Sequence, residues 1–320
     1  MANTYLPNDY LYLSARMRAK EMGIVGKERL VRLAAMSYEE ICATLSSEGV
    51  WPAGATREEA LAAMLREAFA LLSDAPDPTV FAFLRYPYDC HNLKTALKCH
   101  VLSRDPAPLY LDVGTVPTST LDGLPASVPQ SLPAHMREAV ETAYNAFLQN
   151  NDPREIDFSL DAACFADMVE SCRLPLAREL VRARAEMTNL RTCRRLLAMQ
   201  AGELGERMLS RAFLAGGESS LDTLLALYRE GEEKLREYVA KGAYAALFAT
   251  DDPAAIDRAA DDHYLALARK GARVPFGAEV VIGYLVGVEY AVKNLRILLV
   301  AKEAGEDAET LTGRLRESYV

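Results

Sequence analysis

Asn92-Leu93-Lys94, Asn189-Leu190-Arg191 and Asn294-Leu295-Arg296 are one phrase written three times, about a hundred residues apart, in a chain of 320 residues. Three residues alone could coincide, but other segments keep the same period. Asp152-Pro153, Ile156-Asp157 and Asp161 recur as Asp252-Pro253, Ile256-Asp257 and Asp261. Ser119-Thr120-Leu121-Asp122 with Leu124 recurs as Ser219-Ser220-Leu221-Asp222 with Leu224. A fixed period of this length is too long for a solenoid unit and implies three copies of a small multi-helix domain. The units are expected at 1–117, 118–217 and 218–320. The breakers that separate them are the proline-dense stretch Asp105–Pro133 and the pair Gly216-Gly217, followed by Ser219 or Ser220 as a helix cap. Ser119 or Thr120 holds the matching place in the first copy.

Each phrase sits in an apolar helical stripe. Leu93, Ala96, Leu97 and Val101 follow Asn92; Leu190, Cys193 and Leu197 follow Asn189; Leu295, Leu298 and Leu299 follow Asn294. A buried Asn without hydrogen-bond partners costs ~1–3 kcal/mol, so its recurrence implies a fixed partner such as a neighbouring helix end or a loop carbonyl. The basic residue, Lys94, Arg191 or Arg296, lies about 200° further round the helix, toward solvent or an acidic neighbour. These six residues read as the structural signature of the unit; a direct grip by the Lys or Arg on a partner is the alternative.

Helical patterning surrounds the phrase. Leu30 through Ser37-Tyr38 to Leu45, Glu58–Leu72, Leu176–Leu209, Leu221–Leu247 and Val280–Lys302 all read as helix, and sustained alternation is absent. The fold class is therefore all-α. Asp152-Pro153 and Asp252-Pro253 read as helix starts, with Asp as cap and Pro in the first turn. Cation binding by these acidic pairs is the alternative. Val280–Val288 is far shorter than the ~20 residues that cross a bilayer and reads as a buried helix segment, so no transmembrane segment is expected. Met1–Tyr5 has no basic region leading into an apolar run, so no secretory signal is expected.

The function classes that composition excludes are broad. Net charge is −9 and the pI about 5.2, against a nucleic-acid surface and, weakly, against docking on anionic lipid. Six cysteines without a CxxC pair read as reduced, packed thiols. Cys90-His91 and Cys99-His100 flank the first phrase, but nine helical residues put the two thiols on opposite faces, so no metal is expected. His91, His100, His135 and His263 form no acid/base pattern, and phosphate-loop, dinucleotide, nucleophile-elbow and HExxH motifs are missing. The cluster Asp251, Asp252, Asp257, Asp261 and Asp262 reads as a cap plus a solvated face. The arginines between Arg173 and Arg195, interrupted by Glu179 and Glu186, read as a solvated face or as a patch for an acidic protein. No catalytic residue and no cofactor is expected.

Three longer segments resemble a known family. They are Asp9-Tyr10 through Ser14-Ala15-Arg16-Met17-Arg18-Ala19-Lys20; Tyr88-Asp89-Cys90-His91-Asn92-Leu93-Lys94; and Asn294-Leu295-Arg296-Ile297 through Lys302-Glu303-Ala304-Gly305 to Leu315-Arg316-Glu317-Ser318-Tyr319-Val320. In order and spacing they resemble the C-type subunit of V/A-type rotary ATPases (ATP synthases), the homologue of the d-type subunit of the eukaryotic V-ATPase. The resemblance implies a funnel-like, pseudo-threefold arrangement of three helical domains. It also implies a non-catalytic central-stalk socket between the shaft subunits, of D and F type, and the membrane proteolipid ring. Such a protein is cytoplasmic and peripheral on the inner face of the membrane, in a complex that translocates protons or sodium ions. A generic helical adaptor between soluble partners is the competing reading, and an all-helical metal or prenyl-diphosphate enzyme a weaker one, since no DDxxD arrangement occurs.

Overall fold

The computed structural model describes residues 6–52 and 54–320; Met1–Tyr5, where a signal would stand, lies outside them. The described residues form fourteen α-helices joined by short 3-10 turns, with no strand among them. In chain order they are α1 (Leu11–Glu21), α2 (Lys27–Ala34), α3 (Tyr38–Ser47), α4 (Arg57–Ala70), α5 (Ala82–Val101), α6 (Ala134–Asn150), α7 (Arg154–Ser171), α8 (Pro175–Ala198), α9 (Gly202–Ala212), α10 (Leu221–Glu230), α11 (Glu232–Ala240), α12 (Pro253–Ala268), α13 (Ala278–Glu303) and α14 (Ala308–Arg314). The fold class is all-α.

By packing, the chain divides into two compact units, Met1–Pro78 with Ala249–Val320, and Thr79–Phe248. In the first unit α13 is the central element, packed by α1, α4 and α12. Its first half, Val280–Val288, is buried on every side, as expected of a helix with no polar face. In the second unit α7 packs on α5 and α6, and α8 on α9, α10 and α11.

Local chemistry fixes where helices start and stop. Three of the long periodic runs are broken. The run from Leu30 to Leu45 breaks at Ser37, which caps α3 in a reciprocal capping box with Glu40. The run from Leu176 to Leu209 breaks between α8 and α9, where Gln200 takes φ 51°. That from Leu221 to Leu247 breaks at Gly231, φ 100°, a conformation glycine adopts without a Cβ penalty. Asp252 caps α12 through the N–H groups of Ala254 and Ala255, with Pro253 in the first turn. Asp152 acts one step earlier: its carboxylate accepts from Arg154 N, while Pro153 occupies the cap position of α7.

One capping expectation is corrected. Ser220 caps α10 through Thr223 N, but the equivalent segment Thr118–Leu121 is only a 3-10 turn. There the Thr120 hydroxyl donates back to the Pro117 carbonyl instead of capping a helix. Asp105–Pro133 is a coil with short turns, pinned by buried Val113, Val116, Leu121, Leu124 and Leu132. Because Pro133 cannot cap α6, Asp167 of α7 does so, accepting from His135 N (3.0 Å) and Met136 N (2.9 Å).

Candidate functional site

The three phrase asparagines lie on the three longest helices, α5, α8 and α13, and all are buried. Each side-chain amide pairs with one residue of the segment returning after its helix, donating and accepting at once. Asn92 Nδ2 donates to Leu111 O (2.8 Å) and its Oδ1 accepts from Leu111 N (2.9 Å). Asn189 makes the same two bonds to Leu214 (2.8 and 2.9 Å). Asn294 Nδ2 donates to Arg316 O (3.2 Å) and more weakly to Glu317 O (3.4 Å), and Arg316 N donates to Asn294 Oδ1 (2.9 Å). An amide is the shortest uncharged side chain carrying donor and acceptor side by side. It mimics a peptide group and satisfies a returning segment that has no other ladder.

A second fastening lies one turn earlier on the helix, three residues before the asparagine. Asp89 accepts from Thr115 N (3.0 Å), Thr115 Oγ1 (2.6 Å) and Val116 N (3.1 Å). Glu186 accepts from Glu218 N (2.7 Å), Ser219 N (2.8 Å) and the Ser219 hydroxyl. Thr115 and Glu218 each stand four residues beyond the Asn partner, so the two returns are read in the same register. Burial pushes the Asp89 carboxyl up, against the pull of its hydrogen bonds to Thr115 and Val116. A glycine makes room in each return: a Cβ on Gly217 would stand 2.7 Å from Glu186 Oε2, and one on Gly114 would collide with Asp89. Arg85, one turn before Asp89, donates to Val113 O (2.9 Å) and to Gly114 O; Arg182 holds the same offset before Glu186.

The third copy reverses the fit. Gly287 and Ala291 stand where the other copies carry the arginine and the acid, and Tyr319 stands where they carry Gly114 or Gly217. The ring fills the vacated space. A Cβ on Gly287 would come within 2.7 Å of Tyr319 Cγ, and Gly283, a turn earlier, faces the same ring. Segment 315–320 is held further by Asp261, which accepts from Arg316 Nε (2.9 Å) and Lys293 Nζ (2.6 Å), and by Asp262, which accepts from Glu317 N (2.7 Å). Lys27 N donates to Ser318 Oγ (3.0 Å), and Arg269 donates to the Ser318 carbonyl. The Asp251–Asp262 cluster is therefore not a solvated face beyond its cap: Asp261 and Asp262 fasten this segment.

Lys94 and Arg296 of the phrase reach acids. Lys94 pairs with Asp161 (2.7 Å), Lys98 one turn on with Asp157 (2.6 Å), and Arg296 with Glu58 (2.7 Å). Arg191 is half-buried. The arginines from Arg173 to Arg195 do not make one face. Arg194 is buried over the Phe248 ring, 4.9 Å from its centroid, whereas Arg178, Arg182 and Arg195 are exposed. Among the described residues no three of His, Cys, Asp or Glu are grouped to hold a metal.

Sequence reasoning singled out the asparagines but gave Asp89, Glu186, Arg85 and Tyr319 no role. The signal for the first three was the shared offset Arg-x-x-x-acid-x-x-Asn in copies one and two.

These observations define a class: an all-helical protein that carries one helix-and-return closure three times. The ATP synthase (C/AC39) subunit family matches residues 13–314. The chain belongs to this family, that of the C-type subunits of V/A-type ATPases. It is 23% identical over 262 residues to the C-type subunit of the V-type sodium ATPase of Enterococcus hirae, covering 78% of each chain. No helix among the described residues is long and apolar enough to cross a membrane.

Proposed function

We propose that this chain is a non-catalytic central-stalk component of a V/A-type rotary ATPase, a socket that couples the rotating shaft to the proteolipid ring. Family membership across residues 13–314 carries this reading. The partners are the shaft subunits, of D and F type, and the ring, with the protein peripheral on the cytoplasmic face of the membrane. Nucleotide chemistry occurs elsewhere in the complex, as does movement of protons or sodium ions.

The closures suit such a part. Transmitting torque requires that long helices not slide against their connections. In each copy a buried amide ties the return segment to its helix, and such a network resists shear because a shift would orphan several buried polar groups together. The repeat reading, with units at 1–117, 118–217 and 218–320, has one asparagine and its backbone partner in each unit. A ring whose symmetry differs from three cannot be met by three equal contacts, so the ring-facing contacts are expected to be polar and distributed.

Co-purification of the tagged full chain from its native membranes, with mass spectrometry, tests the reading. Recovery of shaft subunits, nucleotide-binding subunits and a proteolipid is expected. Recovery of soluble partners alone, from membranes holding an intact rotary ATPase, would contradict it and leave the helical adaptor.

A further inference from the structure

The opening helix α1 is apolar on two faces, and packing accounts for one of them. Leu13, Ser14 and Met17 are buried, and α1 packs on α13. At about 100° per residue, Leu11, Tyr12, Ala15, Ala19 and Met22 fall within roughly 100° of arc on the opposite side. All five are exposed: Leu11 by 50%, Tyr12 by 67% and Met22 by 90%. Apolar side chains scattered singly over a surface are ordinary, but a contiguous sector on one helix marks an interaction site. The sector is also held in shape. The Arg16 guanidinium, one turn on from Tyr12, lies over its ring, 5.8 Å from the centroid, and is tethered by Asp74. Arg18, at the other edge of the sector, is fixed by Glu21 (2.8 Å) and by the carbonyls of Gly271 (2.9 Å) and Val274 (2.6 Å).

We propose that this sector of α1 is the docking core for a helix of a shaft subunit, whose apolar ridge seats over Ala15 and Ala19 and whose acidic side chain faces Lys20. The inference rests on the central-stalk reading and names the surface that grips the shaft. Shape selects a helix: the two alanines form a saddle between Leu11 with Tyr12 and Met22, where a second helix can approach closely and fit ridge into groove. An exposed tyrosine already braced by an arginine loses little freedom on binding, and these are the residue types that dominate interface energetics. Charge selects an acidic partner. α1 carries Arg16, Arg18 and Lys20 against Glu21, in a chain of net charge −9. Arg16 and Arg18 are internally paired, whereas the exposed Lys20 ammonium has no ion pair among the described residues. An apolar core suits a contact that stays closed while both parts turn together, and the ring is expected to be met by polar, distributed contacts. A bilayer surface fits less well, since helices lying in it carry bulky apolar residues and two of these five are alanine.

The test is photo-crosslinking in the intact complex, with p-benzoylphenylalanine in place of Met22 in the full chain and mass spectrometry of the adduct. The adduct should map to a shaft subunit. Binding of the purified full chain to purified shaft subunits then measures the sector. Tyr12→Ala and Ala15→Glu should each weaken binding at least about 30-fold, the one by removing the braced ring and the other by filling the saddle with charge. Lys20→Glu should weaken it about tenfold and flatten its dependence on salt. Because these side chains are exposed, helix content and urea midpoint should stay at wild-type values, and the crosslink on an otherwise unaltered chain reports the contact even where a variant does not fold. An adduct with the proteolipid or with lipid alone, or wild-type affinity in folded Tyr12→Ala and Ala15→Glu, from a chain that does co-purify with the shaft, would overturn the inference and leave the central-stalk reading standing. Failure of the wild-type chain to recover shaft subunits from membranes holding the intact ATPase would overturn both.

Discussion

The first two closures and the third solve one problem with opposite chemistry. In copies one and two the helix carries the bulk and charge, Arg85 with Asp89 and Arg182 with Glu186, and the return carries a glycine. In copy three the helix is hollowed to Gly287 and Ala291, and the return carries Tyr319. Only the asparagine, whose paired backbone bonds neither charge nor ring can imitate, stands in all three. The comparison separates what the repeat requires from what each copy can exchange. It requires an amide that matches backbone geometry, while the space beside it accepts either a hydrogen-bonded carboxylate or a packed ring.

The largest effect should come from emptying the aromatic half. Tyr319→Ala removes a ring seated against Gly283 and Gly287 and should cost about 3–5 kcal/mol, read as a lower urea midpoint. Stability comparable to wild type would show that the ring does not fill the role of the carboxylates. Asn189→Leu should follow, at about 2–4 kcal/mol, because Leu214 keeps a buried N–H and C=O with no partner. A folded protein of undiminished stability would contradict the shared role of the amide. Glu186→Gln keeps the shape but offers fewer acceptor sites to the Glu218 and Ser219 donors, and should cost about 1–3 kcal/mol. Arg296→Ala breaks an exposed pair with Glu58 and should cost at most about 1 kcal/mol, measured in the same denaturation series.

Acid sharpens the comparison further. Burial raises the Asp262 carboxyl above its ordinary value, whereas the hydrogen bond from Lys27 lowers that of Glu317. For Asp262 the folded state takes up its proton first. Its contribution therefore grows as pH falls through the raised value toward the ordinary aspartate range and is lost as pH rises. For Glu317 the sign reverses: its contribution is present above the ordinary glutamate range and fades as pH falls through the depressed value. Urea midpoints at pH 7 and pH 5 should show wild type gaining on Asp262→Asn at the lower pH. A gain by the variant instead would overturn the assignment.

The all-α class and the three asparagines were legible because both rest on period and spacing, which survive in a single sequence. The acid latch was not. It occurs in two copies of three, changes length between Asp89 and Glu186, and meets returns of unequal length, its Asn partners lying 19, 25 and 22 residues on. Glu186 reads as an interruption in a basic run until its buried partners are seen. Helix breaks at Ser37, Gln200 and Gly231 were hidden because the apolar period runs through them and local caps decide the stop. Asp261 and Asp262 look solvated in sequence because what they hold, segment 315–320, lies more than fifty residues away.

Amide hydrogen exchange at single-residue resolution on the intact protein tests the central claim, that one amide closure is built three times. Leu111, Leu214 and Arg316 should all exchange slowly, with protection comparable to the helices that hold them, although none lies in a helix interior. Exchange of any of the three at the rate of an exposed loop would contradict the account, since that return would not be tied to its helix by the asparagine.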